Sequence, residues 1–401
     1  MMSAATSWII NNVRIVTETS TIYGAVVVEL GKIANIIPAS SKEYHLLTEN
    51  IQQIATIDGQ NGLLMAGFID VHVHGGNGGD FMNADHASYD AITSFHAAHG
   101  TTKMLATTMT ASKEAIEAVL AAVTSYRQNQ QTNEQSGATI IGVHLEGPFI
   151  SEKWPGAQNP AYIQPPTKAW LAEWIDKWPD QIKLLTLAPE KEEAAPLINW
   201  LANQQIITAC GHTDALYSDI QSAADAGLTH AVHTFNAMKG LHHREPGTLG
   251  AVLTDDRIYC EIIADGEHVH RAAIDLLLRA KPIDKLILIT DAIEAAGMVD
   301  GNYQLGGLAV TVKDGVARLT EGGALAGSSL TMNKAVQYLA NNSSLALHEI
   351  SQLASKNAAR QLGIDHTTGS ISIGKQADLV WLDDNFQVQS TWTNGIAIYN
   401  R

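Results

Sequence analysis

Two patterns of hydrophobic and polar positions alternate along the chain. Residues 7–60 form short apolar stretches broken by turn residues, without the three-to-four-residue spacing that is typical of helices. The same kind of stretch returns near the C-terminus, for example at 377–382 and 396–399. We therefore predict a small β domain that is assembled from both ends of the chain, residues 1–61 and 364–401.

Between these ends, short apolar runs alternate with segments of helical periodicity, for example 112–128 and 272–280. This alternation is typical of βα units that build a parallel sheet. Eight such runs are present, at 67–71, 103–106, 139–145, 182–187, 205–209, 230–234, 258–264 and 285–289. Eight parallel strands with connecting helices predict an α/β fold, a (β/α)8 TIM-like barrel over residues 62–363, with a doubly wound open sheet as the alternative. Residues 302–326 are rich in glycine and β formers, and we predict a β-hairpin inserted there.

Composition and charge narrow the possible functions. The chain has 401 residues, 45% of them hydrophobic and 16% charged, which suits a folded protein with one large domain and a smaller companion. The net charge of −16 argues against nucleic acid or an anionic membrane surface as the main partner. Two cysteines, Cys210 and Cys260, exclude a disulfide framework, and no apolar run approaches the ~20 residues that span a bilayer. We expect a soluble, cytoplasmic protein.

Candidate metal ligands stand where the apolar runs end. Thirteen of the sixteen histidines lie between residues 72 and 270. In a (β/α)8 barrel the active site is built at the C-terminal ends of the strands, so polar residues at those ends are candidates for chemistry. His72 and His74 follow the first run and share one strand face, because alternate residues of a strand point the same way. The other candidates at run ends are His144, Glu146, His212, His233 and Asp291.

Three histidine or carboxylate ligands with an open water position are what a catalytic metal site requires. A lone histidine at a strand end is more often a hydrogen-bonded structural residue, so the conjunction of these residues carries the prediction. His96, His99 and His348 lie in helical segments, and we interpret them as structural. His144 shares a strand face with Glu146 and stays unassigned.

Several motifs occur in a specific order along the chain. They read AGFIDVHVHG at 66–75, HLEGPF at 144–149, GHTDA at 211–215, HTFNAM at 233–238, HREPG at 243–247, ADGEH at 264–268, TDA at 290–292 and LAGSSL at 325–330. In this combination the chain resembles the N-acetylglucosamine-6-phosphate deacetylases, a family of metal-dependent hydrolases in the amidohydrolase superfamily. The resemblance implies a barrel with a small β-sandwich, a divalent metal cation and a homodimer.

The resemblance also implies roles for individual residues. Glu146, His212 and His233 match the main metal ligands, and His72 and His74 match the pair that binds a second cation in some members. Asp291 matches the catalytic acid and base, and it could also reach the second cation. The residues that match substrate contacts are Ala157, Asn236, Ala237, Arg244, His268, Leu325, Ala326 and Gly327. Gln158 stands where some members have a histidine, so a role for it in polarising the substrate carbonyl is not assigned.

The implied reaction is the deacetylation of N-acetylglucosamine 6-phosphate to glucosamine 6-phosphate and acetate. One or two cations per subunit are expected, and imidazole and carboxylate ligands suit zinc, iron, manganese, cobalt or nickel. Arg244 is expected to bind the phosphate and, by the resemblance, can complete the neighbouring subunit's site; a surface ion pair with Glu245 is the alternative. Another amidohydrolase-type amidase or deaminase is the competing activity, although Lys183 lies at the wrong end of the fourth run to bridge two metals. A non-catalytic barrel is the third alternative.

Overall fold

A computed structural model of the protein describes residues 7–50, 55–132 and 137–401. Residues 1–6 and 51–54 of the predicted β domain lie outside these described residues. The strands, in chain order, are β1 (Trp8–Val16), β2 (Thr21–Glu29), β3 (Lys32–Pro38), β4 (Ala55–Asp58), β5 (Leu63–Ala66), β6 (Phe68–Val73), β7 (Gly75–Gly76), β8 (Gly79–Asp80), β9 (Thr101–Thr108), β10 (Thr139–Glu146), β11 (Ile182–Leu187), β12 (Ile207–Cys210), β13 (His230–Ala231), β14 (Tyr259–Ile263), β15 (Leu286–Ile289), β16 (Gly301–Leu305), β17 (Leu308–Lys313), β18 (Val316–Leu319), β19 (Leu379–Leu382), β20 (Val388–Thr393) and β21 (Ile396–Asn400).

Most of the helices alternate with the strands of the central part of the chain. They are α1 (Lys42–Asn50), α2 (His86–Ala97), α3 (Lys113–Thr132), α4 (Lys168–Lys177), α5 (Ala194–Asn203), α6 (Tyr217–Ala226), α7 (Gly247–Thr254), α8 (Arg271–Ala280), α9 (Met332–Asn342), α10 (Leu347–Ser351) and α11 (Asn357–Gln361). No helix in the described part of the chain combines the length and the apolar character that a membrane span needs.

Eight parallel strands form the barrel, in the order β6, β9, β10, β11, β12, β13, β14 and β15. Each strand overlaps one of the predicted apolar runs, and one of the helices α2 to α9 follows each strand. The first and last strands meet at their C-terminal ends, where Asp291 N donates to His72 O (2.9 Å) and His74 N donates to Ala292 O (2.8 Å). Thr290 Oγ1 also donates to Asp70 Oδ2 (2.6 Å). The barrel prediction is therefore confirmed, and the open sheet is excluded.

The helices cover the barrel through apolar stripes. In α3, Ile116, Val119, Leu120 and Val123 are fully buried, as their helical spacing predicts. The strand beneath, β9, is buried along its whole length. Burying each of these aliphatic side chains contributes about 1.5–3 kcal/mol. The core thus holds the strand ends, and the residues after them, in fixed positions.

A second sheet combines strands from both ends of the chain. Its order is β21, β20, β19, β5, β1, β2 and β3, with β4 paired to β1. Trp8 stacks on Trp392 with ring centroids 5.1 Å apart, so the two chain ends share one core. Lys103 Nζ, on a barrel strand, donates to Asp378 Oδ2 (2.6 Å) just before β19. The domain limits at residues 61 and 364 stay a prediction.

Two local predictions are wrong. The segment 302–326 is a three-stranded antiparallel sheet, β16 to β18, where we predicted a hairpin. Asp314 (φ 52°) and Gly315 (φ 75°) connect β17 to the additional strand β18. Both residues have the positive φ of a type I′ turn, which is typical of two-residue hairpin loops. Residues 42–50 form a helix within the segment that we interpreted as strands and turns. Ser41 Oγ accepts from Tyr44 N (3.1 Å), as an N-cap residue does.

Candidate metal centre

Six predicted residues meet at the C-terminal end of the barrel. They are His72, His74, Glu146, His212, His233 and Asp291. His72 and Glu146 belong to β6 and β10, and His74 directly follows β6. The other three, His212, His233 and Asp291, each stand two residues after a strand, β12, β13 and β15. The parallel register of these strands places the residues on one rim, which is the reason that sequence positions more than 200 residues apart become neighbours.

Glu146, His212 and His233 lie together, and we call this group the first candidate subsite. Glu146 Oε1 lies 3.2 Å from His212 Nε2 and 3.0 Å from His233 Nε2. The two imidazole nitrogens lie 3.1 Å apart. The structure thus brings together one carboxylate oxygen and two ring nitrogens, the donor set predicted for the main cation.

His72, His74 and Asp291 form the second subsite. Asp291 Oδ1 lies 3.2 Å from His74 Nε2 and 3.6 Å from His72 Nε2. Glu146 belongs to both groups, because its Oε2 lies 3.2 Å from His74 Nε2 and its Oε1 lies 3.4 Å from His72 Nε2. A carboxylate in this position could bridge two cations.

Unusual backbone conformations aim three of these side chains into the centre. His212 (φ 47°), His233 (φ 31°) and Asp291 (φ 52°) all adopt the left-handed region. Such conformations cost about 1–3 kcal/mol each in residues other than glycine, and they cluster at functional sites. Backbone hydrogen bonds hold them, for example from Ser328 N to Asp291 O (2.7 Å).

Hydrogen bonds at the outer ring nitrogens orient the imidazoles. His72 Nδ1 lies 2.8 Å from Glu261 Oε2, and His212 Nδ1 lies 2.9 Å from Trp154 O. Donation from Nδ1 leaves the lone pair of Nε2 facing the centre, which is the arrangement typical of metal-binding histidines. Sequence reasoning missed Glu261 and Trp154. Glu261 had a signal, as the one acidic residue inside the apolar run 258–264.

The charges of the centre fit bound cations. Glu146, Glu261 and Asp291 are at most 9% exposed, and their only ion-pair partners among the described residues are histidines. Burying carboxylates away from water is unfavourable unless positive charge lies beside them. If the histidines bind as neutral ligands, a divalent cation would supply that charge. His72 Nε2 is buried and makes no hydrogen bond of good geometry within the described part of the chain. A nitrogen of this kind suits metal ligation.

The carboxylates of the centre are held in their ionised form. Burial raises the pKa of Glu146, but the charge of His72 and hydrogen bonds with His212 and His233 outweigh it and keep this pKa well below its usual range. Burial also raises the pKa of Asp291, while His72 and a hydrogen bond with His74 outweigh it and lower this pKa. Both groups can therefore act as anionic ligands or proton acceptors.

Most of the residues that the resemblance implies as substrate contacts surround the centre. His268 Nε2 lies 3.2 Å from Gly327 O. A side chain added at Gly327 would come within 2.9 Å of Asp291 O, so this turn needs glycine beside the candidate catalytic residue. Asn236 Nδ2 donates to His233 O (3.3 Å), and Ala237 follows it. Ala157 packs against the apolar cluster that contains Ala326, and Leu325 precedes it in the same turn.

Arg244 lies apart from this group. It is exposed on the loop after β13, and its Nη1 donates to His243 Nε2 (2.7 Å). Glu245 Oε1 instead accepts from Tyr217 N (3.2 Å), and no ion pair joins Glu245 to Arg244 among the described residues. The surface ion pair considered as an alternative is therefore absent there, and the phosphate contact stays a prediction.

Gln158 and His144 occupy supporting positions. Gln158 Nε2 donates to Glu146 Oε2 (2.5 Å), and its Oε1 accepts from Thr110 N (2.7 Å). His144 Nε2 lies 2.7 Å from Thr186 Oγ1, and its ring packs edge-on against His72. Gln158 thus holds a ligand oxygen, and His144 supports a ligand ring.

Two of the histidines interpreted as structural, His96 and His99, contact backbone carbonyls away from the centre, and Lys183 also lies away from it. His96 is buried with its Nε2 2.9 Å from Gly75 O. His99 Nδ1 lies 2.8 Å from Phe95 O, near the end of α2. Lys183 pairs with Asp180 at the start of β11, on the rim opposite the metal centre. A lysine bridge between two metals is therefore not available from this residue.

Comparisons with known proteins agree with this geometry. Residues 63–397 match the model of the amidohydrolase family. The chain is 39% identical over 392 residues to the N-acetylglucosamine-6-phosphate deacetylase of Bacillus subtilis, covering 98% of this chain and 97% of the relative. It is also 39% identical over 333 residues to the N-acetylgalactosamine-6-phosphate deacetylase of Escherichia coli O157:H7, covering 83% and 87%. A mutant N-acetyl-D-glucosamine-6-phosphate deacetylase from Mycobacterium smegmatis, solved in complex with N-acetyl-D-glucosamine-6-phosphate, superimposes with a TM-score of 0.88 at 29% identity, covering 98% of this chain and 99% of that one.

Proposed function

The chain belongs to the amidohydrolase family, and from this premise we propose that it hydrolyses N-acetylglucosamine 6-phosphate to glucosamine 6-phosphate and acetate. One observation carries the proposal: Asp291 lies directly beside a buried cluster of four histidines and Glu146. The near full-length similarity to a deacetylase of this specificity supports the choice of substrate. The clustered ligands argue against a barrel that has lost its chemistry.

We propose that Glu146, His212 and His233 hold one divalent cation, and that His72, His74 and Asp291 hold a second. A bound divalent cation lowers the pKa of a coordinated water and polarises an amide carbonyl, the two requirements of amide hydrolysis. Glu146 lies within reach of both subsites, and Gln158 holds its Oε2 through a 2.5 Å hydrogen bond. Nitrogen and oxygen donors suit zinc, iron, manganese, cobalt or nickel.

Asp291 performs the proton transfers in this proposal. Its lowered pKa keeps it ionised at neutral pH, so it can accept the proton of the attacking water. The protonated carboxyl then donates that proton to the amine nitrogen as the carbon–nitrogen bond breaks. Acetic acid and the free amine are formed and leave, the acid loses its remaining proton to solvent to give acetate, and Asp291 returns to its starting state. The short distances from Asp291 Oδ1 to His74 Nε2 (3.2 Å) and His72 Nε2 (3.6 Å) support this role.

Recognition of the phosphate is assigned to residues on the same rim. We propose that Asn236, Ala237, His268 and the turn 325–327 bind the sugar phosphate, and that Arg244 reaches the neighbouring site of a homodimer. Its exposure in the single chain and the absence of a carboxylate partner among the described residues support this role. A guanidinium suits a phosphate because it can donate two parallel hydrogen bonds. Two free, buried cysteines agree with a cytoplasmic location.

A second candidate substrate is N-acetylgalactosamine 6-phosphate. The similarity to the Escherichia coli enzyme of that specificity supports it, since the identity is also 39%. The two substrates differ only in the configuration of one hydroxyl group, at C4. The larger coverage by the glucosamine-specific relative favours N-acetylglucosamine 6-phosphate.

A substrate panel tests the proposal. Purified protein is assayed for acetate release from N-acetylglucosamine 6-phosphate, from its galactosamine epimer and from both unphosphorylated sugars. We expect the highest kcat/KM with N-acetylglucosamine 6-phosphate and poor use of both unphosphorylated sugars. A preference for the galactosamine epimer would reassign the substrate. Turnover of a cyclic amide or a nucleobase in place of all four sugars would favour another amidohydrolase activity.

A further inference from the structure

A buried carboxylate behind the metal centre connects its two subsites. Glu261 belongs to β14 and is 0% exposed. Its Oε2 lies 2.8 Å from His72 Nδ1 and accepts from His233 N (3.1 Å). His72 is a candidate ligand of the second subsite, and His233 is a candidate ligand of the first. One oxygen atom therefore contacts a ligand from each subsite.

The second oxygen of Glu261 has a separate partner. Oε1 lies 2.9 Å from His230 Nε2, and His230 is also fully buried. His230 Nδ1 has no hydrogen-bond partner within the described residues. The two carboxylate oxygens of Glu261 therefore contact different groups: Oε2 contacts the candidate ligands His72 and His233, and Oε1 contacts His230, which lies outside the centre.

We infer that Glu261 is a positioning residue. It holds His72 and His233 in fixed positions relative to each other, so that both subsites can bind their cations. The inference rests on the proposed metal centre. Because Glu261 accepts a hydrogen bond from His72 Nδ1, His72 is held in the tautomer whose unprotonated Nε2 faces the cation site. The negative charge of the carboxylate also makes this imidazole a stronger metal ligand. Acceptance from His233 N holds a residue whose φ of 31° is otherwise unfavourable.

The position of Glu261 in the strand agrees with this role. Its neighbours Ile262 and Ile263 are buried and apolar, and a carboxylate at this depth is costly unless it has several partners. Here it has three hydrogen-bond partners, and none of them is lysine or arginine. If this position served packing alone, an aliphatic side chain of the same volume would fill it without the cost of burying a charge.

The test is a cation titration of chelator-stripped protein with Co²⁺, followed by absorbance and by metal content. The Glu261→Gln variant keeps a neutral acceptor for His72 and His233 but removes the negative charge. We expect the affinities of both subsites for Co²⁺ to fall, each by roughly 10–100-fold, the usual effect of changing an outer hydrogen-bond partner. The Co²⁺ spectrum of the remaining bound metal should shift, since the orientation of His72 relaxes.

Two matched variants separate positioning from folding. His230→Leu removes the partner of Oε1 and leaves the contacts of Oε2, so both cation affinities should stay close to those of the unchanged protein. Asp378→Asn neutralises another buried carboxylate, one that is paired with Lys103 far from the centre. It should lower the melting temperature of the metal-free protein and leave the cation affinities unchanged.

The possible results are distinct. Two unchanged affinities in Glu261→Gln would overturn the inference and leave the proposed function intact. Equal losses in Glu261→Gln and Asp378→Asn would also overturn it, because a general loss of stability would then explain both. A protein that binds no cation before any substitution would contradict the proposed function itself.

Discussion

Replacing Asp291 by asparagine should remove most of the catalytic rate and weaken the second cation subsite, while the fold and the first subsite stay unchanged. Asparagine keeps the shape of the side chain, and it tolerates the φ of 52° at this position better than alanine would. The backbone hydrogen bonds to His72 O and from Ser328 N do not involve the side chain. The variant should therefore fold, and its KM should change little because the proposed phosphate contacts lie elsewhere.

The size of the loss follows from the surroundings of Asp291. An amide cannot accept the proton of water, and Glu146, the other carboxylate that faces His72 and His74, is already bonded to His212, His233 and Gln158. No neighbouring base is free to replace Asp291 among these residues. We expect kcat to fall by roughly 10²–10⁴-fold. At about 1.36 kcal/mol per decade, the barrier rises by about 2.7–5.4 kcal/mol.

The assay is steady-state acetate release with N-acetylglucosamine 6-phosphate, together with metal content and melting temperature. Asp284→Asn is the matched control, because Asp284 lies at the opposite end of β15 and pairs with Arg360 at the surface. Its kcat should equal that of the unchanged protein. A kcat of Asp291→Asn within a few-fold of the unchanged value, with metal retained, would refute the role of Asp291 in proton transfer.

Three further predictions follow from other parts of the structure. His212→Ala and His233→Ala should each lower bound metal and activity together, and full metal content in both would refute the first subsite. Arg244→Ala should reduce kcat/KM for the phosphorylated sugar by roughly 10–150-fold, because one charge-assisted hydrogen bond contributes about 1.5–3 kcal/mol. An equal loss of kcat/KM on the unphosphorylated sugar would show that Arg244 is structural. Glu18→Gln should lower the melting temperature at neutral pH but not near pH 2. Burial raises the pKa of Glu18, but hydrogen bonds with Lys356 and Ser370 outweigh this effect and lower the pKa from 4.5 to about 2. The ionised Glu18 therefore stabilises the fold fully above pH 4.5, and this stabilisation disappears as the pH falls through 2. A melting-temperature difference that persists at pH 2 would contradict this.

The ligands of the metal centre could be predicted because they follow simple rules of strand geometry. His72 and His74 alternate on one strand, and Glu146 and His212 stand at strand ends, where a barrel builds its active site. The spacing of residues along the sequence is enough to predict such ligands, because parallel strands bring all their C-terminal ends to one rim of the barrel.

Other features depend on tertiary contacts that spacing does not encode. Glu261 lies within a strand, and only the fold shows that its oxygens meet His72 and His233. Trp154 acts through its backbone carbonyl, so its side-chain type carries no signal. The proposed contact of Arg244 with a second subunit lies outside what a single chain can show. The third strand of the insertion required recognition of the Asp314–Gly315 turn.

The most direct test of the account is the metal dependence of acetate release from N-acetylglucosamine 6-phosphate. The purified protein is assayed as isolated, after removal of metal with a chelator, and after addition of Zn²⁺, Fe²⁺, Mn²⁺, Co²⁺ or Ni²⁺ to the stripped protein. The account predicts that acetate release stops when metal is removed and returns with at least one of these cations, in proportion to the metal bound at the centre. Full acetate release from protein without bound metal would contradict it.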